Sequence, residues 1–232
     1  NTNNNTASKL YWKIEDNCLY IHCDADLKDS YNVRPWYNDT TKNSVTSAVV
    51  SGNISRIYKN MFLYMYGIGS LKFDCPNIQS IETGAFQDTG ANVSQPVLID
   101  FSECTQLTTI KQKAFYNCFK GTWSVSFADC INLTTILENS FLDEKRYLRY
   151  IDFSGCTALS EFPSHAFWGG GNGRLMVYGA DFQGTSITSI DNIDIHPYDV
   201  RTYNLSGTKI QTLTLNDFKA LTELYLPATI ES

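Results

Sequence analysis

The sequence predicts a solenoid. Short parallel β-strands stack coil on coil into one sheet on the concave face, the chain returns on the convex face through short helical or 3₁₀ turns, and a small β-hairpin precedes the repeats. Three columns of residues that recur together predict it. The first is a pair of apolar residues five apart: Ile57 and Phe62, Ile81 and Phe86, Ile110 and Phe115, Ile136 and Phe141, Phe162 and Phe167, Ile190 and Ile195, Leu213 and Phe218. The later members lie 24, 29, 26, 26, 28 and 23 residues apart. The second column is Phe73, Phe101, Phe127, Phe153, Phe182, Leu205 and Leu226, and the third is Cys75, Cys104, Cys130 and Cys156, then Thr185 and Thr208. Columns that keep register over so many units mark a structural repeat, in which each unit cannot bury its apolar face alone and stacking supplies the core.

One unit, Leu148-Arg149-Tyr150-Ile151-Asp152-Phe153-Ser154-Gly155-Cys156-Thr157-Ala158-Leu159, follows L-x-x-L-x-L-x-x-C-x-x-L with Phe in one Leu position, the leucine-rich repeat pattern. Ile151 and Phe153 alternate with Tyr150, Asp152 and Ser154, so a short strand sends its apolar residues inward. The convex segments read Ile81-Glu82-Thr83-Gly84-Ala85-Phe86 and Ile110-Lys111-Gln112-Lys113-Ala114-Phe115, or Ile-x-x-x-Ala-Phe, and the chain finishes Leu224-Tyr225-Leu226-Pro227-Ala228-Thr229-Ile230-Glu231-Ser232. These segments resemble the BspA-like leucine-rich repeat family over about Val45 to Ser232. The resemblance implies a right-handed leucine-rich repeat solenoid on a secreted or surface protein, several members being linked to adhesion to host matrix proteins or to other cells. Gly169-Gly170-Gly171-Asn172-Gly173 and Ile195 depart from the family pattern.

Taken in chain order, residues 1–44 do not fit the repeat. Asn1 to Thr6 is a polar tract with no apolar h-region and no initiator Met, which fits a processed terminus after export and fits a trimmed sequence equally. Trp12 and Ile14 alternate with polar residues, Asp16-Asn17 marks a turn, and Leu19, Ile21 and Cys23 alternate again, which predicts a hairpin. With Pro35-Trp36 after it, this region is similar to the segment preceding the repeats in BspA-like proteins, and it is expected to cover the open end of the solenoid. Residues 45–232 hold about six to seven units, the last one stopping after its strand.

The composition excludes several functions. With 18 Lys and Arg against 24 Asp and Glu the net charge is −6, which disfavours a general nucleic-acid or anionic-membrane binder. No apolar run approaches the ~20 residues that a membrane-spanning helix needs. Seven cysteines, without a C-x-x-C pair, make neither a complete disulfide framework nor a zinc site. The repeating cysteine position takes Asn, Cys or Thr in leucine-rich repeats, with its polar atom serving the backbone of the turn, so these cysteines read as structural. Cys18 and Cys23 should lie on opposite faces of one strand. His22, His165 and His196 have no nucleophile or acid placed with them by a known motif, and the glycine run lacks the Lys-Ser/Thr of a phosphate loop. The sequons at Asn4, Asn38, Asn53, Asn92, Asn132 and Asn204 read as chance matches in an Asn/Thr-rich chain unless the source is eukaryotic and secreting. No cofactor, metal or catalytic residue is expected.

A solenoid works through its extended surface. The outward positions of the strands form a central row of Lys72, Asp100, Ser126, Asp152, Asp181, Asn204 and Tyr225. On one side run Asp74, Ser102, Ala128, Ser154, Gln183 and Ser206; on the other, Ser70, Leu98, Ser124, Tyr150, Gly179, Thr202 and Glu223. Asp100, Tyr150, Asp152, Asp181, Asn204 and Tyr225 are the expected partner-binding residues, with Tyr150 and Tyr225 as the only aromatic candidates. The expected function is a non-catalytic binding or adhesion module, secreted or on the cell surface, with a lipid anchor on a removed N-terminal segment as one expected means of attachment. Its partner would be a host matrix or cell-surface protein. A structural spacer in a larger surface protein is the alternative. A glycan-active enzyme is disfavoured because no paired Asp/Glu on facing elements can be argued.

Overall fold

The computed structural model describes residues 2–5, 10–26, 34–119, 123–142, 147–168, 176–191, 193, 195, 198–215 and 218–230. Of the features singled out in the sequence, His196, the 169–173 glycine run and the side chain of Asn4 lie outside the described residues.

In chain order the first elements are β1 (Thr2–Asn5), β2 (Leu10–Glu15), β3 (Cys18–Cys23), α1 (Thr41–Ser44), β4 (Ser47–Gly52), β5 (Arg56–Ile57), β6 (Ser70–Asp74) and β7 (Ser80–Ile81). They are followed by β8 (Val97–Asp100), β9 (Thr109–Ile110), β10 (Trp123–Ser126), β11 (Thr135–Ile136), β12 (Tyr147–Asp152), β13 (Met176–Asp181), β14 (Thr202–Asn204) and β15 (Glu223–Tyr225). The longer strands make two sheets along the concave side, β1-β2-β3-β4-β6 and β8-β10-β12-β13-β14-β15, while the two-residue strands β5-β7-β9-β11 form a third on the convex side. All pairs between coils are parallel. The predicted solenoid is the observed one.

The expected hairpin is β2-β3, turned by Asp16 and Asn17, both at positive φ as a two-residue hairpin turn requires. It sits at the N-terminal end of the stacked strands. β3 pairs parallel with β4 in full register, Leu19 opposite Ala48 and Ile21 opposite Val50, so the hairpin lengthens the concave sheet sideways. Its inward residues Leu10, Trp12, Leu19, Ile21 and Cys23 are buried with Trp36 and Val45. Within the polar N-terminal tract, Thr2–Asn5 pairs antiparallel with β2 as strand β1. Backbone pairing needs no apolar side chain, which is why composition hid it.

Inside the solenoid two columns of phenylalanine become two stacked ladders. Phe62, Phe86, Phe115, Phe141 and Phe167 follow one another at centroid distances of 5.4, 5.1, 5.1 and 5.0 Å. Phe73, Phe101, Phe127, Phe153 and Phe182 do so at 4.8, 5.4, 5.2 and 5.8 Å. Rings of one ladder meet the other edge to face, as Phe127 meets Phe141 at 6.1 Å and 74°. Both geometries suit the ring quadrupole. At the last coil this order lapses: Leu226 of the second column is 49% exposed, because no described strand lies beyond β15 to cover it.

The convex returns are hydrogen-bonded turns; among the described residues of that face none is an α- or 3₁₀-helix, contrary to expectation. A helix would spend the backbone N–H groups within its own segment. Here alternate ones go to the next coil, as Phe62, Phe86, Phe115 and Phe141 donate to the carbonyls of Ala85, Ala114, Ser140 and Ala166 at 2.8–3.0 Å, while Ala85, Ala114 and Ser140 close turns on Glu82, Lys111 and Leu137 of their own segments at 3.1–3.3 Å. Positive φ at Asn60, Lys113, Asn139 and His165 bends each return out of helical geometry.

Two local irregularities matter for the concave face. Over their paired stretch β12 carries one residue more than β10, so Trp123 pairs with Leu148 and Ser124 with Tyr150; Arg149 is the extra residue of a bulge. The concave sheet is also interrupted between β6 and β8, which share no ladder. Pro96, with no N–H to donate, directly precedes β8.

Candidate functional site

The outward row stands where the alternation put it. Asp100 pairs with Ser126, Ser126 with Asp152, Asp152 with Asp181, Asp181 with Asn204, and Asn204 with Tyr225. The second row is equally in register: Leu98, Ser124, Tyr150, Gly179, Thr202 and Glu223.

Most of the central row does something the sequence reading missed. Oδ1 of Asp100, Asp152 and Asp181 accepts the backbone N–H two residues on, from Ser102, Ser154 and Gln183, at 2.9, 2.8 and 2.8 Å. Asn204 does the same for Ser206 at 3.1 Å, and the Ser126 hydroxyl for Ala128 at 3.2 Å. These are Asx- and Ser-turns that bend the chain off the end of each strand. Tyr225 breaks the series, and there residue i+2 is Pro227, which has no N–H to satisfy. The signal was present as an Asp, Ser or Asn two residues before each turn.

The second carboxylate oxygens link neighbouring strands. Oδ2 of Asp152 accepts from the Ser126 hydroxyl at 3.3 Å. Oδ2 of Asp181 accepts from the Asn204 amide at 3.0 Å and from the Tyr150 hydroxyl at 3.3 Å. Tyr150 reaches Asp181 because its ring lies across Gly179; a Cβ there would fall 2.5 Å from Tyr150 Cδ2. Partial burial, then the Asp181 and Asp152 charges, push the Tyr150 hydroxyl above its ordinary pKa, so it stays a donor. Asp181, Asn204 and Tyr150 thus form one hydrogen-bonded group, and Asp152 on the adjacent strand is bonded to Ser126 and Ser154 instead. Asp100 stands two strands away beyond Ser126, and Tyr225, 51% exposed, stands at the far side. Arg149, in the bulge of β12, and Arg201, just before β14, are exposed.

The repeating cysteines are buried and free, as expected of structural residues. The Cys156 thiol donates to Phe127 O at 3.1 Å and Cys130 to Phe101 O at 3.4 Å, each reaching the preceding coil. Thr185 and Thr208 donate instead to Phe182 O and Leu205 O of their own coil, both at 2.8 Å. Burial pushes the Cys75, Cys104 and Cys156 thiols up to about 12. Cys18 and Cys23 fall on opposite faces of β3, and both are free. Among the described residues no group of three or more His, Cys, Asp or Glu side chains is placed to hold a metal ion.

The sequon asparagines mostly have structural partners: Asn38 accepts the N–H groups of Thr40 and Thr41, Asn53 bonds Asn77, Asn92 bonds Asn43, and Asn132 donates to Thr105 O. Of the histidines, His165 meets Trp168 edge to face at 4.3 Å, and His22 bonds Ser51 and Asp24. Tyr150 and Tyr225 are not the only aromatic residues on the outward face, since the lateral pairing of the hairpin adds Tyr11 and Tyr20 to it.

A family model described as a BspA-type leucine-rich repeat region, in six copies, matches residues 37–121 and 92–172, together more than half of the chain. The chain belongs to the BspA-type leucine-rich repeat family. The search of curated proteins finds no match. The BspA-type match ends at residue 172, while the parallel stacking continues through β13, β14 and β15. BspA-type repeats are in general a non-catalytic scaffold for protein interaction, typical of surface and secreted proteins. No helix among the described residues is long and apolar enough to cross a membrane.

Proposed function

We propose that this BspA-type protein is a non-catalytic binding or adhesion module, secreted or held at the cell surface, that docks a basic segment of a host matrix or cell-surface protein on its concave sheet. One observation carries the reading: Asp152 and Asp181 stand on adjacent strands of the outward row, with Tyr150 fixed beside them over Gly179. The turns engage one oxygen of each carboxylate, and Ser126, Asn204 and Tyr150 engage the other. They leave two like charges about 4.8 Å apart on a solvated sheet, an arrangement that a cationic partner relieves. Tyr150 supplies the apolar anchor, already immobilised and so binding at low entropic cost. Asp100, Asn204 and Tyr225 form the rim.

The test is a partner screen on immobilised matrix and surface proteins, followed by variants measured across salt concentrations. Asp152→Asn keeps the acceptor for the Ser154 N–H and removes only the charge. Asp152→Ala removes both and should cost about 0.5–1.5 kcal/mol of stability by itself. The expected result is weaker binding as salt rises, a shallower salt dependence in Asp152→Asn, and a loss of about 2 kcal/mol in Tyr150→Ala. A partner whose affinity ignores both substitutions does not use the concave face.

A further inference from the structure

Where the hairpin joins the first coil, the outward face carries a cavity of about 230 Å³ lined by Tyr11, Lys13, Tyr20, His22 and Ser51, with Trp12 and Ile21 between them. Cross-strand pairing assembles it, since Tyr11 faces His22, Lys13 faces Tyr20, and His22 faces Ser51. We propose that this cavity is a carbohydrate site that takes one neutral pyranose ring of a glycan.

Four observations support that chemistry. The volume is below the roughly 300–1,000 Å³ of sites for drug-sized ligands, so it suits a single ring. Tyr11 and Tyr20 supply aromatic surface, Tyr20 being 39% exposed, against which the C–H face of a sugar packs as an apolar surface.

One wall is a polar relay. Asp24 Oδ1 lies 3.0 Å from His22 Nε2, and His22 Nδ1 lies 2.9 Å from Ser51 Oγ. Asp24 orients the His22 ring, and the Ser51 hydroxyl, 3.4 Å from Ile21 O, keeps a lone pair to accept from a ligand hydroxyl. The cations nearby are already matched: Lys13 pairs with Glu15 at 2.6 Å and sits 5.0 Å over the Tyr20 ring, and Lys72 pairs with Asp74 at 2.9 Å. A phosphate or carboxylate ligand would find no uncommitted charge among these groups, and a basic one would meet the lysines. An uncharged ring with one apolar face and a rim of hydroxyls matches all four features. A peptide strand would pair with a sheet edge, whereas this cavity lies on a sheet face whose backbone is already laddered.

The site is separate from the acidic row, so either reading can fail without the other. The probes are methyl glycosides of neutral hexoses, of N-acetylhexosamines and of uronic acids, titrated into the intact chain and followed by saturation-transfer NMR and by the His22 ring resonances. The expected result is saturable binding of a neutral or N-acetylated glycoside, weaker binding of the uronic acid, and a shift of the His22 signals at the same midpoint. Tyr20→Ala should weaken binding by at least about tenfold, and Ser51→Ala by several-fold, while Tyr225→Ala on the other surface should leave it unchanged. The His22 resonances in unmodified protein give a readout that does not depend on any variant folding. The proposal is overturned if no glycoside saturates, if the uronic acid binds tightest, if the His22 signals stay still, or if only peptides bind.

Discussion

Truncation of Phe141 measures how far the stacked rings hold the coils together. Phe141 is fully buried, stacked between Phe115 at 5.1 Å and Phe167 at 5.0 Å, with Phe127 and Phe153 edge-on at 6.1 and 6.4 Å. A buried Phe removes roughly 150–250 Å² from water, and at about 25 cal/mol/Å² that is an upper bound of about 4–6 kcal/mol. Phe141→Ala should therefore cost about 3–5 kcal/mol. Phe141→Leu keeps most of the apolar volume and loses the ring contacts, for about 1–2 kcal/mol. The assay is urea unfolding followed by circular dichroism and by tryptophan fluorescence, Trp123 lying 6.0 Å from Phe115. A double-mutant cycle of Phe115→Leu with Phe141→Leu should give a coupling of about 0.5–1.5 kcal/mol, whereas Phe62 and Phe141, three rungs apart, should be additive within about 0.5 kcal/mol. A loss below about 1 kcal/mol in Phe141→Ala, or additivity at Phe115 and Phe141, would refute the ladder as an energetic unit.

Two further outcomes follow from the same geometry. The buried thiols bind their protons more tightly when folded, at about 12 for Cys156 against about 8.5 unfolded, so their contribution is complete below pH 8.5 and is lost as pH rises toward 12. Cys156→Thr, which places here the residue found at 185 and 208, should fold and show a shallower alkaline loss in a pH series of urea midpoints; an identical slope would contradict burial of the thiol. Gly179→Ala should lift the Tyr150 ring off the sheet and break its bond to Asp181. Tyrosine ionisation followed by ultraviolet absorbance should then show one hydroxyl moving back toward pH 10, and an unchanged titration would mean the ring never lay across Gly179.

The sequence carried the concave rows almost completely, because a period of two in each strand and a constant spacing between strands leave one register that buries every Phe. Asp152, Asp181 and Tyr150 could therefore be placed side by side. The role of the carboxylates in the turns was legible only as residue type, since Asp suits a solvated surface and an Asx-turn equally. The helical reading of the convex returns failed because Ile-x-x-x-Ala-Phe has a helix-like spacing, while the competing partner, the carbonyl of the next coil, lies some 26 residues away as Ala114 and Ser140 do from Phe86 and Phe115. The hairpin cavity depends on Ser51 meeting His22 across 29 residues, through a parallel pairing that neither strand announces.

The interruption between β6 and β8 has a mechanical consequence. Across that junction the coils remain tied on the convex side, where Ile81 O accepts from the Lys111 N–H and Phe86 donates to Ala114, and in the core by the Phe73–Phe101 stack. Their concave edges share no ladder. Bending that spreads the concave edges there stretches no strand-to-strand hydrogen bond, whereas at the laddered junctions it must. Compliance is thus concentrated at one point along the axis, between the half that carries the hairpin cavity and the half that carries the acidic row. A change in the angle between those two surfaces would therefore break no ladder among the described concave strands.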